Sequence, residues 1–225
     1  MNPYYQDEAV TIYHGDCGDI LPTLRKVDLV LTDPPYGVSQ ESNLTQSGID
    51  RYGSVDFGDW DTEFPMATIT CLPEAATYYI FCPYQSLGEL AAWAVGAKLL
   101  HRVLWWKKSN PTRRNGDVYW SIPGEHCFYA KQSGATFHAK HEVGYFEYPN
   151  VHGEHPTQKP VALILRLIVA STDGGDMILD PFLGSGTTAV AAKKLNRKCI
   201  GIEIEERYCE IAANRCRQMV MELGL

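Results

Sequence analysis

Apolar residues along this chain recur in two rhythms. Short β-branched runs that stop at a turn-forming residue read as buried strands, and stretches with apolar positions three and four apart read as helices. Residues 10–14 form the first strand, followed by a turn over 15–19 and a short helix over 20–24. A second strand covers 29–32 and stops at Asp33, because Pro34 and Pro35 cannot continue a ladder. Residues 39–61 are polar and without period, which predicts a long functional loop. A helix is expected over 64–75, with Pro65 in its first turn and Pro73 near its end. Then come a strand over 77–82 closed by Pro83, and a helix over 85–97 with Leu87, Leu90, Ala91 and Val95 on one face. Further strands are predicted over 101–106 and 125–130, and 131–158 reads as a small irregular insertion on the sheet. The pattern then sharpens: a helix over 160–172 with Thr157 as its cap, a strand over 177–180, a glycine turn, a helix over 187–195, a strand over 199–203 and a closing helix over 205–222. Such a βαβα series predicts a parallel sheet with helices on both faces.

Composition narrows the class. The 225 residues are 45% hydrophobic and 21% charged, an ordinary globular balance that we read as a single domain over 1–225. The longest apolar run, near 161–170, is broken by Arg166, so no membrane span is expected, and the N-terminus lacks the basic and apolar regions of a signal peptide. Seven cysteines, none in a Cys-x-x-Cys pair, point to reduced, packed thiols and a cytoplasmic protein without a metal site. The net charge of −7 excludes a surface coated in phosphate contacts. Basic residues are local instead: Lys107, Lys108, Arg113 and Arg114 cluster within eight positions and are the candidate nucleic-acid contacts.

Two stretches carry chemistry. In Asp33-Pro34-Pro35-Tyr36 a carboxylate, a stiffened carbonyl and an aromatic ring stand at the carboxyl end of a strand, where open α/β sheets bind ligands. Two acceptors and a stacking face suit a planar heterocycle with an exocyclic amine. In the second stretch, Gly184-Ser185-Gly186 lies between a strand and a helix, and Glu203 ends the next strand. Glycines there admit a ligand close to the backbone, and Glu203 is placed to accept from ribose hydroxyls. The third glycine of the dinucleotide fingerprint is missing, Thr187 and Thr188 following Gly186, so a nucleoside without phosphates is expected rather than a pyrophosphate.

Asp33-Pro34-Pro35-Tyr36 together with Asp180-Pro181-Phe182-Leu183-Gly184-Ser185-Gly186-Thr187-Thr188 resembles the S-adenosylmethionine-dependent DNA amino-methyltransferases. The order, target motif before cofactor motif, is that of their β group. The resemblance extends to Tyr13-His14-Gly15-Asp16-Cys17 with Leu21-Pro22, to His155-Pro156-Thr157-Gln158-Lys159-Pro160 and to Ile200-Gly201-Ile202-Glu203. It implies a circularly permuted Rossmann-like sheet of about seven strands, the strand over 125–130 being its one antiparallel member, beside 101–106. It implies that Asp33, Pro34, Pro35 and Tyr36 are catalytic. It also implies that Asp16, Asp33, Lys159, Asp180, Pro181, Phe182, Gly184, Ser185, Gly186, Thr187 and Glu203 surround S-adenosylmethionine. The expected substrate is an adenine flipped from double-stranded DNA, with cytosine N4 or RNA adenine as the alternatives within the chemistry. A non-catalytic cofactor-binding module on nucleic acid is the alternative outside it. An aspartate in the first motif position more often accompanies adenine. Short target-recognition insertions are expected over 108–158, and so small a recognition segment points to a homodimer.

Overall fold

The computed structural model describes residues 2–36, 63–110, 123–151 and 158–222, with side chains to 218. Nine strands among them pair into one mixed sheet. In chain order these are β1 (Tyr5–Gln6), β2 (Val10–His14), β3 (Val27–Thr32), β4 (Ala75–Cys82), β5 (Leu100–Lys108), β6 (Gly124–Lys131), β7 (Tyr145–Tyr148), β8 (Met177–Asp180) and β9 (Lys198–Glu203). The helices are α1 (Cys17–Ile20), α2 (Met66–Thr70), α3 (Leu87–Gly96), α4 (Val161–Ser171), α5 (Thr187–Lys194) and α6 (Glu206–Glu222). Across the sheet the order is β1-β2-β9-β8-β3-β4-β6-β5-β7.

Leu29, Val30 and Leu31 of β3 are all fully buried, as an unbroken apolar run in a central strand requires. Alternation along β3, β4 and β6 sends Leu29, Leu31, Tyr79, Phe81, Cys127 and Tyr129 to one face, where α4, α5 and α6 cover them. Val30, Tyr78, Ile80, Phe128 and Ala130 pack on the other face under α1, α2 and α3. From β3 the chain goes to β4 on one side, whereas β8 leads to β9 on the other. The crevice at the carboxyl ends of adjacent β3 and β8 is therefore a topological switch point, where such sheets bind ligands.

The expected seven strands with one antiparallel become nine with two. The additions are edge strands: two-residue β1, antiparallel to β2, and β7, parallel to β5. Only Phe146 of β7 is buried, so four residues offered too little alternation to stand out in 131–158. β6 is antiparallel as expected, but it lies between β4 and β5, pairing with both. The helix expected over 64–75 is a five-residue helix followed by β4. Beyond it the Tyr78 hydroxyl accepts from Ala75 N at 2.7 Å and donates to Pro73 O at 3.1 Å, clamping the turn that launches β4. The first helix starts earlier than expected, because Asp16 caps it by accepting from Gly18 N at 2.7 Å, and a single 3-10 turn covers Leu21–Thr23. The loop over 39–61 and the cap at Thr157 lie outside the described residues. Six cysteines are buried thiols and Cys71 is exposed. Among the described residues no helix is long and apolar enough to cross a membrane, and no group of side chains could hold a metal ion.

Candidate active site

β3 delivers Asp33 to the switch point, and the two prolines that follow keep the chain from re-entering the sheet. Asp33 Oδ2 is paired with the ammonium of Lys159, and its Oδ1 accepts from the Tyr36 hydroxyl at 3.0 Å. That hydroxyl also lies 3.2 Å from Glu125 Oε2, so its one proton is shared between two carboxylates. Lys159 reaches the same Glu125 oxygen at 3.0 Å, and Lys108 holds Oε1 at 2.5 Å. Lys159 is only 6% exposed, boxed by the rings of Phe81, Tyr36 and Trp106 at 5.0, 5.6 and 6.0 Å. Burial would raise the Glu125 carboxyl, but the ammonium groups of Lys159 and Lys108 outweigh it and hold the group down to about 2. Burial dominates at Asp33 and pushes its carboxyl up, with Lys159 opposing and Glu125 adding to the rise. Two half-buried carboxylates this close together are tolerable because two cations share the space.

Glu125 carries no sequence signal beyond opening a strand. The direction of that strand is what matters: β6 runs against β4, so its first residues lie at the edge where the parallel strands end. Trp106 opposes Glu125 in register, and this brings the β5 exit with Lys108 into the same corner.

The other half is built by β8, β9 and β2. Asp180 ends β8 and is buried; its Oδ1 accepts from Thr32 Oγ1 at 2.9 Å and from Phe182 N at 3.2 Å, which ties β3 to the glycine turn. Burial pushes the Asp180 carboxyl up to about 7. Gly184 and Gly186 take φ of +53° and +84°, and Gly184 N donates to Glu203 Oε2 at 2.7 Å while Glu205 N donates to Oε1 at 2.8 Å. Glu203 is thus held rigidly by backbone, and each of its oxygens keeps a further lone pair for a hydroxyl. Burial pushes this carboxyl up as well. The need for glycine at 186 is partly internal: a Cβ there would lie 2.6 Å from Ala212 Cβ and 2.9 Å from Ala212 Cα on α6.

One cavity of about 930 Å³ spans both halves. Asp16, Asp33, Pro34, Pro35, Tyr36, Lys159, Asp180, Pro181, Phe182, Gly184, Ser185, Thr187 and Glu203 all line it, and Gly186 stands in the same turn. Lys159 is the one basic residue among the described lining residues, and it is already paired with Asp33 and Glu125. A lining with a carboxylate at the ribose position, positive-φ glycines and no spare cation fits S-adenosylmethionine, a nucleoside without phosphates, and does not fit a pyrophosphate ligand. Lys159, expected beside the cofactor, lines this cavity with its ammonium bonded to Asp33. Lys107 pairs with Glu147 at 3.0 Å and Lys108 is turned inward onto Glu125; Arg113 and Arg114 lie outside the described residues.

An open sheet whose strand ends bring Asp33 and the glycine turn with Glu203 into one cavity has the architecture of a Rossmann-like methyltransferase. Within that class, the chain belongs to the DNA methylase family, whose model for amino (N6 and N4) methylases matches residues 27–214. It is 32% identical to the type II methyltransferase M2.DpnII of Streptococcus pneumoniae, over 95% of this chain and 91% of that one. It is 28% identical to M.HinfI of Haemophilus influenzae, over 97% of this chain and 71% of that one. The crystal structure of the M1.HpyAVI–SAM complex superposes with a TM-score of 0.68 at 28% identity, covering 92% of this chain and 99% of its own. The cytosine-N4-specific PvuII DNA methyltransferase shares the fold at 18% identity, with a TM-score of 0.70 over 95% of this chain and 88% of its own.

Proposed function

We propose that this DNA methylase transfers a methyl group from S-adenosylmethionine to the exocyclic N6 amine of an adenine flipped out of double-stranded DNA. The observation that carries the reading is Asp33 at the junction of the two halves of one cavity, with the Tyr36 ring beside it and Glu203 across the glycine turn. When bound, S-adenosylmethionine supplies an electrophilic methyl on its sulfonium. Glu203 would hold the ribose, and Phe182 and the 184–186 turn the methionine arm, with Asp16 at the end of neighbouring β2. An aromatic amine is a weak nucleophile because its lone pair is delocalised into the ring. Asp33 and the Pro34 carbonyl accept hydrogen bonds from its N–H groups and return electron density to nitrogen. Tyr36 stacks on the extruded base and offsets part of an unstacking cost of a few kcal/mol. The rigid Pro34-Pro35 backbone keeps these groups in one geometry, and such positioning supplies much of the rate.

The residues over 108–158 act as recognition insertions of a single domain, and a second copy of the chain extends the contact with DNA. Labelled methyl transfer from S-adenosylmethionine to duplex DNA, followed by hydrolysis of the product, tests the reading. N6-methyladenine is expected, and methyl on cytosine N4 would reassign the base. Asp33→Ala abolishes transfer while cofactor affinity stays close to wild type by calorimetry; retained transfer would refute the role of Asp33.

A further inference from the structure

The target half contains a closed ring of polar groups. Asp33 is bonded to Lys159 and to Tyr36, and Lys159 and Tyr36 both reach Glu125 Oε2, at 3.0 and 3.2 Å. A carboxylate offers about four lone-pair positions. Lys159 and Tyr36 take one on each oxygen of Asp33, which fixes the plane of the group and leaves the others for an incoming amine.

The charges in this ring are set against each other. If Lys159 had no second anion, its whole charge would fall on Asp33, and a weak N–H donor on the target base would compete poorly for the same oxygens. If the cation were missing, Asp33 and Glu125 would face each other across a single hydroxyl, and one of them would take a proton. A protonated Asp33 is a poor acceptor. We propose that Glu125 and Lys159 are a pair of positioning residues of opposite charge: Lys159 keeps the Asp33 carboxylate ionised and fixed in plane, and Glu125 draws off part of the lysine's charge so that the carboxylate stays free to accept from the target amine. This rests on the amine-methylation reading of Asp33.

The groups facing Asp33 can be named element by element. Tyr36 lies on its own segment, Lys159 on the approach to α4, Glu125 and Cys127 on β6, Cys82 on β4 and Asp180 on β8. Lys108 touches Glu125 from the β5 exit. Both thiols are pushed up by burial and stay neutral. Single changes at Glu125 or Lys159 therefore alter the field at Asp33 in opposite senses.

The test is direct titration of Asp33 in the full chain, by the carbon-13 carboxyl resonance that disappears in Asp33→Asn. Single-turnover methyl transfer to duplex DNA is followed over the same pH range. Glu125→Gln removes a like charge, so the Asp33 midpoint and the acidic limb of the rate both move to lower pH. Lys159→Gln removes the counter-charge, so both move to higher pH. The plateau rate falls on the order of 10²-fold in either variant, as misplacement of a reacting group does, while KM for DNA changes little. Lys159→Arg and Glu125→Asp keep the charges and return the midpoint toward wild type. Midpoints that stay put, or that move the same way in both glutamine variants, overturn the proposal. Should Lys159→Gln fail to fold, Glu125→Gln decides alone, and an unmoved or raised midpoint overturns it. Because the titration is read without turnover, opposite shifts in a chain that methylates no DNA would count against amine methylation itself. Transfer with unmoved midpoints would count against the charge pair alone.

Discussion

Tyr36 has two separable duties, and one atom divides them. In the proposed mechanism its ring stacks on the target base, and its hydroxyl bridges Asp33 and Glu125. Tyr36→Phe keeps the ring, so DNA affinity is expected to stay near wild type by fluorescence anisotropy. The turnover rate should fall ~10- to 100-fold, because a hydrogen bond to a charged acceptor is worth ~1.5–3 kcal/mol. Asp180 gives a second residue-level expectation. Burial lifts its carboxyl from 3.8 to about 7, so the folded chain keeps a proton that the unfolded chain releases over that window. The contribution of this group to stability is therefore greatest below pH 4, falls as pH rises toward 7, and is level above. Asp180→Asn removes the fall, and urea unfolding of both proteins at pH 5 and pH 7.5 shows whether the wild-type difference disappears.

Among the elements, the ends of β8 and α5 show how function and packing share one constraint. The glycine turn reads in the sequence as a ligand cradle, yet Gly186 also stands at φ +84° against Ala212 of α6. Gly186→Ala is expected to destabilise by about 2 kcal/mol or more, the left-handed backbone costing ~1–2 kcal/mol before any clash is counted. A urea midpoint unchanged from wild type would refute this. β3 and β8 with Asp33 and Asp180 were legible because each buried run stops at a carboxylate followed by proline, and β9 with Glu203 because a short apolar run stops at a carboxylate about twenty residues after the glycine turn, all local signals. Glu125 was not. Its place in the site depends on β6 running antiparallel between β4 and β5, a pairing decided by residues about 45 and 20 positions upstream along the chain. β7 was invisible for the same reason: it is held by β5 on one side and Phe146 underneath rather than by its own pattern. Lys107, a candidate nucleic-acid contact in the sequence, is shared with Glu147, an exposed pair worth little to stability. Glu147→Gln should leave the urea midpoint unchanged and tighten DNA binding at low salt, as measured by anisotropy titration.

Taken as a whole, the molecule carries net −7, so its attraction for DNA is expected to rest on a few local cations. With Lys107, Lys108, Arg113 and Arg114 as phosphate contacts, the slope of log affinity against log salt should not be steeper than about −4 per chain, at ~0.9 per phosphate. It is shallower still if Lys108 stays on Glu125. Light scattering at micromolar concentration is expected to give the mass of two chains, and a single-chain mass would refute the dimer. The reversed direction of β6 also bears on how such a molecule can diversify. A slip of one residue in this strand would turn Glu125 to the opposite face of the sheet, and a slip of two would carry it ~7 Å along the edge and away from Lys159. Insertions and deletions that retune the DNA sequence recognised must therefore be absorbed before Pro123 or after Lys131. Catalytic register and target choice are then inherited separately, and lineages can exchange the second while the first stays still.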